Sequence, residues 1–302
     1  MTKNVFITGG LGQDSQILVK LLYKKKVNIN VFIKKKSKNL QKKVNFIVND
    51  LSNKKKIDRV FLKIKPDIVL HLAANNPSFD QKNYNLFYQK NYIATENIFY
   101  STFKANKKAK FIFCSSSQIF QKKNGIVSEG SKVQITSDYT KFRINCDHMM
   151  LQYKKLQKID YINAILFNHD SEFRNKKFII PRIIDALINK KVKFLDKIIN
   201  ENIYSDFSHA EDICLGLYKL MFGKLNIDKI IFSSNQKTSL NDIIKYLIKK
   251  NNLAINIINF KKTISKCLIG NNNLAKKSLN WSLKKNIFLA ANDIYKSRIL
   301  RL

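Results

Sequence analysis

The residues whose types and spacing could do chemistry begin at the amino-terminal end. Thr8-Gly9-Gly10-Leu11-Gly12-Gln13-Asp14-Ser15 separates a short apolar run from an amphipathic one and holds three of the chain's eight glycines. Glycine there lets the backbone turn tightly and approach a pyrophosphate, while the helix that follows offers N–H groups and the positive end of its dipole. In the spacing G-x-x-G-x-x-S, Ser15 falls where a third small residue packs helix on sheet. The chemistry is dinucleotide binding. The end of the second strand selects the dinucleotide, because an acid there binds a ribose 2′-OH and a base suits a 2′-phosphate. Here the strand runs into Lys34-Lys35-Lys36-Ser37 with no acid, so NADP is expected over NAD. Asp50, in Asn49-Asp50-Leu51, can reach the adenine edge or cap the next helix. No metal site is expected. Cys114, Cys146, Cys214 and Cys267 have neither CxxC nor His-flanked spacing and read as buried thiols of a reducing compartment.

These residues need a frame. Asn4–Thr8, Ile29–Ile33, Val44–Val48, Asp67–Leu72, Lys110–Cys114 and Tyr161–Phe167 read as six strands. Gln16–Lys25, Lys54–Ile64, Asn91–Asn106 and Tyr139–Tyr153 read as helices between them. Strands that are nearly all apolar and alternate with helices predict an α/β fold, a Rossmann doubly wound parallel sheet covered on both faces. Beyond Phe178, helix candidates (Pro181–Asn189, Ala210–Met221, Ser239–Lys250) alternate with short strands. The expected division is 1–165, mainly an NADP-binding domain, and 166–302, mainly a smaller substrate-binding lobe with some chain returning to the first.

The charge is the loudest feature of the composition. Among 302 residues, 56 Lys+Arg face 21 Asp+Glu, a formal net charge of +35. That balance suggests a nucleic-acid or anionic-membrane binder. Yet only six of those cations are arginine, the residue whose bidentate fork reads bases and phosphates. The lysines are spread from Lys3 to Lys296 and accompany 35 asparagines. Coding bias accounts for this better than a nucleic-acid partner, and none is expected. No apolar run is long enough to span a bilayer. The amino terminus passes straight into a strand with no secretory h-region, so a cytoplasmic location without membrane insertion is expected.

Four further segments carry a family likeness: His71-Leu72-Ala73-Ala74-Asn75-Asn76, Cys114-Ser115-Ser116-Ser117-Gln118-Ile119-Phe120, Tyr139-Thr140-Lys141-Phe142-Arg143 and Leu166-Phe167-Asn168-His169-Asp170-Ser171. Together with the glycine turn they resemble the extended short-chain dehydrogenases (NAD-dependent epimerase/dehydratases) that modify nucleotide sugars, and most nearly the GDP-mannose 4,6-dehydratase family. That family writes TGxxGQDGS at the turn and LFNHES after the sixth strand. Asp206-Phe207-Ser208-His209-Ala210-Glu211-Asp212 is similar to its RDWGHAKDY segment. Gly270-Asn271-Asn272-Asn273-Leu274-Ala275-Lys276-Lys277 with Leu279-Asn280-Trp281 is similar to its GDxSKAxxxLGW segment. The likeness covers essentially the whole chain.

The resemblance implies hydride transfer from sugar C4 to the nicotinamide, assisted by a tyrosine and a lysine four residues on. Tyr139 matches the tyrosine, but Arg143 stands in the lysine's place, and Lys141 lies about 200° round the helix. It also implies a Thr-x-Glu after the fifth strand, the carboxylate moving protons during loss of water. The matching residues are Ser116 and Gln118, and an amide cannot serve as general base near neutral pH. Three readings stay open: a dehydratase, a GDP-4-keto-6-deoxy-sugar reductase, or a non-catalytic partner subunit that binds cofactor. Implied cofactor contacts are Gly9, Gly12, Gln13, Asp14, Lys34, Asp50, Leu51, Leu72, Ala73, Ala74, Tyr139 and Arg143. Implied catalytic positions are Tyr139, Ser116, Arg143 and Gln118. Implied substrate contacts are Asn168, His169 and Arg182, for a GDP-sugar or other nucleotide-sugar. A homodimer or homotetramer is implied for surface polysaccharide or deoxysugar precursor synthesis. His71 is expected to be structural.

Overall fold

A computed structural model of the chain describes residues 2–35, 43–74, 84–201, 203–255 and 266–300. Lys36, Ser37, Asn75 and Asn76 lie outside the described residues. In chain order the first half contains β1 (Lys3–Thr8), α1 (Gln13–Leu22), β2 (Val27–Ile33), β3 (Asn45–Val48), α2 (Lys54–Ile64), β4 (Ile68–His71), α3 (Tyr84–Ala105), β5 (Lys110–Ser116), β6 (Gly125–Val127), α4 (Asp138–Gln157) and β7 (Asp160–Leu166). There follow β8 (Asn168–Asp170), α5 (Ile179–Ile188), α6 (Val192–Glu201), β9 (Tyr204–Ser205), β10 (Phe207–His209), α7 (Ala210–Phe222) and β11 (Lys229–Phe232). The last are β12 (Thr238–Ser239), α8 (Leu240–Lys250), β13 (Leu268–Gly270), α9 (Asn273–Leu279) and α10 (Ile287–Ile299).

Seven strands form one sheet in the order β11-β7-β5-β4-β1-β2-β3, and every pairing in it is parallel. The apolar strands bury both faces, as a doubly wound sheet requires. One face packs Val5, Ile7, Leu70, Ile112 and Ile162 against α1 and α7. The other packs Phe6, Val69, Phe111, Phe113 and Tyr161 against α2, α3 and α4. The chain reverses its winding between β1 and β4, so the crevice outside their carboxyl ends is where such a sheet binds ligands. A third core joins α5, α6, α8 and α10 through Ile180, Leu195, Ile243 and Ile287. Short pairs β8/β10, β9/β12 and β6/β13 tie this helical lobe to the sheet.

Several boundaries differ from the sequence expectation. Helix α1 begins three residues earlier, directly after its N-cap Gly12. Helix α3 begins at Tyr84 because its first turns gain tertiary partners: Tyr88 and Tyr92 stack at 5.7 Å, and Asn145 Nδ2 donates to Tyr88 Oη at 3.0 Å. Helices α6 and α10 were not anticipated from the sequence, although Asn286 caps the start of α10 by accepting from Leu289 N at 3.0 Å. Helix α4 is fixed by a capping box in which Ser137 Oγ accepts from Thr140 N and Thr140 Oγ1 accepts from Ser137 N.

One core residue works against the fold. Asn163, central in β7 and fully buried, has neither its amide nitrogen nor its oxygen hydrogen-bonded. An unpaired buried polar group costs roughly 1–3 kcal/mol. Asn163→Val is therefore expected to raise unfolding free energy by about 1 kcal/mol or more, read as a higher denaturation midpoint with an unchanged denaturant slope.

Candidate active site

The site grows from the turn after β1. Gly9 has φ +81°, and a Cβ there would meet Ala73 N at 3.2 Å, so only glycine lets the turn pass this close to the strand exit opposite. At Gly10 a Cβ would fall 2.2 Å from Val31 Cγ1. Gly12 N then donates to Gly9 O at 2.9 Å, closing the turn onto α1. No side chain caps that end of α1, so its first-turn N–H groups stay available at the cleft.

The opposite rim is set by Thr8 and His71. Thr8 Oγ1 accepts from Leu72 N (3.1 Å) and Ala73 N (3.0 Å) and bonds His71 Nδ1 at 2.9 Å. His71 Nε2 meets Thr95 Oγ1 at 2.9 Å. Burial, aided by the Arg143 charge, pushes the His71 pKa down to about 3. A neutral imidazole thus locks β1, β4 and α3 together and holds Leu72–Ala74 in place.

The resulting cleft has a volume of about 540 Å³. Its floor is the turn and first helical residues Gly9, Leu11, Gly12, Gln13, Asp14 and Ser15. Leu72 and Ala74 form one side, Tyr139 and Arg143 of α4 another, and Phe173, Arg174, Asn175 and Phe178 the far wall. Arg143 is 7 % exposed. One guanidinium nitrogen donates to the Cys114 carbonyl at the end of β5, and its plane lies 4.9 Å from the Tyr139 ring centroid. Ser15 Oγ and Arg143 Nε are buried without a protein partner. The far wall holds Arg174 by an ion pair from Nε to Asp170 Oδ1 at 2.7 Å and by its stack on Phe178 at 3.5 Å.

Two motifs that the sequence separates by more than 150 residues meet beside this floor. His169 Nε2 contacts both oxygens of Asp14 at 3.1 Å, and its Nδ1 meets Phe167 O at 2.6 Å. Gln13 Nε2 donates to His169 O at 3.1 Å, and Ser171 Oγ donates to Gln13 Oε1 at 3.0 Å. Burial alone would raise the Asp14 carboxyl, but the charge and hydrogen bond of His169, with Arg174 nearby, bring it to about 2. Burial opposes charge on His169 as well, yet Asp14 raises its pKa above the ordinary value.

Other expected site residues stand elsewhere. Ser116 and Gln118 are not among the described residues lining this cleft. Ser116 ends β5 and caps the 3₁₀ turn Ser117–Ile119 that holds Gln118 and packs on α4, and Ser116 Oγ accepts from Gln118 N at 3.3 Å. Lys34 and Asp50 are exposed at the ends of β2 and β3. The hydrogen bond from Ser52 N, with Lys34 close by, lowers the Asp50 pKa. The cap of α2 is Asn53, which accepts from Lys56 N at 3.1 Å, so the capping alternative for Asp50 falls away. Asn97 Nδ2 donates to Leu51 O at 3.1 Å and fixes that loop. Asn168 Nδ2 donates to Ser205 Oγ at 2.7 Å. Arg182 is exposed and stacks on Phe194 at 5.0 Å. The sequence reading missed Phe173, Arg174, Asn175 and Phe178. Arginine scarcity was the available signal, since two of the six arginines line this one cleft.

A parallel sheet with a glycine turn at its switch point defines a doubly wound α/β fold of the dinucleotide-binding class. Residues 6–288 match the family model for GDP-mannose 4,6 dehydratase, and the chain belongs to that family. It is thereby a nucleotide-sugar-modifying enzyme of the NAD(P)-dependent kind. Among curated relatives, it is 24% identical to GDP-mannose 4,6 dehydratase 1 of Arabidopsis thaliana over 93% of this chain and 86% of that one. It is 26% identical to GDP-6-deoxy-D-talose 4-dehydrogenase of Aggregatibacter actinomycetemcomitans over 72% of this chain and 69% of that one. A similar solved fold is UDP-glucose 4-epimerase of Thermotoga maritima, with TM-score 0.82, 16% identity and 99% of each chain covered. Among the described residues no helix is long and apolar enough to cross a membrane, and no cluster suited to a metal ion occurs.

Proposed function

We propose that this chain is an NADP-dependent enzyme that oxidises and reduces C4 of a GDP-linked sugar, with 4,6-dehydration as its overall reaction. The observation that carries this reading is the convergence of the glycine turn, Tyr139, Arg143 and Arg174 on one cleft. The cleft suits a dinucleotide: its turn admits no Cβ at Gly9, its helix end is uncapped, and the buried Ser15 hydroxyl and Arg143 Nε lack partners. Gly9, Gly12, Gln13 and Asp14 would hold the diphosphate by backbone N–H groups. Leu72, Ala73 and Ala74 would flank the nicotinamide half, and Lys34, Asp50 and Leu51 the adenosine end, where Lys34 favours a 2′-phosphate. When bound, the nicotinamide accepts or returns the C4 hydride.

Tyr139 would take and return the C4 hydroxyl proton. Arg143 would hold the Tyr139 ring and the exit of β5, and its remaining N–H donors would meet the nicotinamide ribose. Ser116 would position the sugar. Asn168 and Arg182 belong to the substrate side of this reading, in which residues 1–165 mainly bind cofactor and 166–302 mainly bind sugar, whereas the His169 ring, expected there too, is engaged by Asp14 and the Phe167 carbonyl. The working unit is a homodimer or homotetramer.

A second reading has one observation in its favour. Gln118 supplies an amide where elimination calls for a carboxylate, and a 4-keto-6-deoxy-sugar reductase needs no such group. The experiment is direct: GDP-mannose with NADP⁺, and separately the 4-keto-6-deoxy product with NADPH, each also tried with NAD(H). Water loss from the first supports the dehydratase, and NADPH consumption with the second alone establishes the reductase. Failure of both, with or without cofactor binding, sinks the catalytic reading.

Arg174 gives a sharper check on the far wall. Its Nε lies 2.7 Å from Asp170 Oδ1 in an ion pair, and its terminal nitrogens would meet an anion as a fork. Arg174→Lys keeps a charge beside Asp170 but loses the fork. NADPH affinity is expected to fall by about tenfold or more, measured by calorimetry, with the free protein's melting temperature little changed.

A further inference from the structure

We propose that Asp14 and His169 form a proton-controlled latch between the phosphate-binding turn and the far wall of the cleft. The inference rests on reading the turn as a cofactor site, and it adds a regulation of that site. Its basis is geometric. His169 sits on β8, whose exit leads directly to the wall residues Phe173–Phe178. Its two ring nitrogens point at acceptors only, the Phe167 carbonyl and the Asp14 carboxylate. Both nitrogens can donate at once only as imidazolium. Gln13 and Ser171 add two bonds across the same seam, so the first turn of α1 and the strand bearing the wall are held as one piece.

The charged and titratable groups around the pair can be placed. Asp14 faces the ring from α1, Arg174 from the wall, and Asp170 lies next along β8 holding Arg174. The buried thiols Cys214 of α7 and Cys114 of β5 lie on the Asp14 side, and burial raises both above the ordinary thiol range. The His169 pKa is raised in the folded chain, so its contribution is fully present below its unfolded value and is lost as pH rises through the folded value. The Asp14 pKa is depressed to about 2, so its contribution is present above its unfolded value and is lost only as pH falls toward 2. Between these limits the latch is closed. Above the His169 value the imidazole keeps one proton, one of its two acceptors loses its donor, and the carboxylate keeps only Arg174 as a nearby positive charge.

The test measures NADPH affinity and thermal midpoint from about pH 6 to about pH 9.5 for the full chain, His169→Asn and Asp14→Asn. NADPH affinity of the unaltered chain is expected to fall by about tenfold across the His169 titration. His169→Asn should bind weakly throughout and lack that step, and the comparison removes the titration of the 2′-phosphate itself. The thermal midpoint should show the same step in the unaltered chain and not in either variant. Parallel pH profiles in all three proteins would overturn the latch. So would a His169 ring that stays neutral across the range by NMR, a readout that needs no variant to fold. If NADPH does not bind at any pH while the thermal step persists, the latch stands and the cofactor reading fails.

Discussion

Tyr139→Phe is expected to lower turnover by about 10²- to 10⁴-fold, the usual loss when a positioned proton-transfer group is removed. The variant removes one oxygen and leaves the ring, which is 9 % exposed and packed against the Arg143 guanidinium. The cleft and its glycine turn should keep their shape. NADPH affinity should therefore stay within about threefold of the unaltered value, while kcat falls with KM nearly constant. An unchanged kcat would remove Tyr139 from the reaction. A large loss of cofactor affinity would instead make its hydroxyl a binding group.

The second large effect is a gain. Gln118→Glu supplies a carboxylate at the position from which the proposed elimination would need one. Gln118 is exposed on its turn, and the Ser116 bond that shapes this turn uses the Gln118 backbone N–H. Glutamate should therefore fold identically. If the chain is a dehydratase limited by its amide, formation of the 4-keto-6-deoxy product from GDP-mannose should rise by about 10²-fold or more, and reduction of that product should change little. Arg143→Lys, alone and combined with it, separates proton transfer from cofactor placement. If neither substitution, nor the pair, raises water loss, the amide is not what limits this chain.

These substitutions can be chosen because much of the fold was legible in the residues. Val5–Ile7, Ile68–Leu70 and Phe111–Cys114 are continuous apolar runs, as a strand buried on both faces requires. Gly9 and Gly10 announced a turn where side chains cannot fit, and the close approaches at Ala73 and Val31 supply the reason. The ends of helices were less legible. Tyr88 and Tyr92 extend α3 through contacts with each other and with α4, contacts that no local pattern specifies. The net charge of +35 had little bearing on the fold. It still favours encounter with anionic cofactors and sugar nucleotides, most strongly at low salt.

The sequence by itself determined the α/β class, the glycine turn, the family and the two departures at Gln118 and Arg143. Residue type and short-range spacing carry that information. Only the tertiary structure decided how the turn is closed from the far side. Asp14 and His169 are 155 positions apart, and Gln13 and Ser171 are 158 apart. Arg174 reaches the cleft only because β8, which pairs with β10 outside the main sheet, is held beside the start of α1. A bond between two such groups depends on where the whole sheet brings their backbones, and no local spacing encodes that distance.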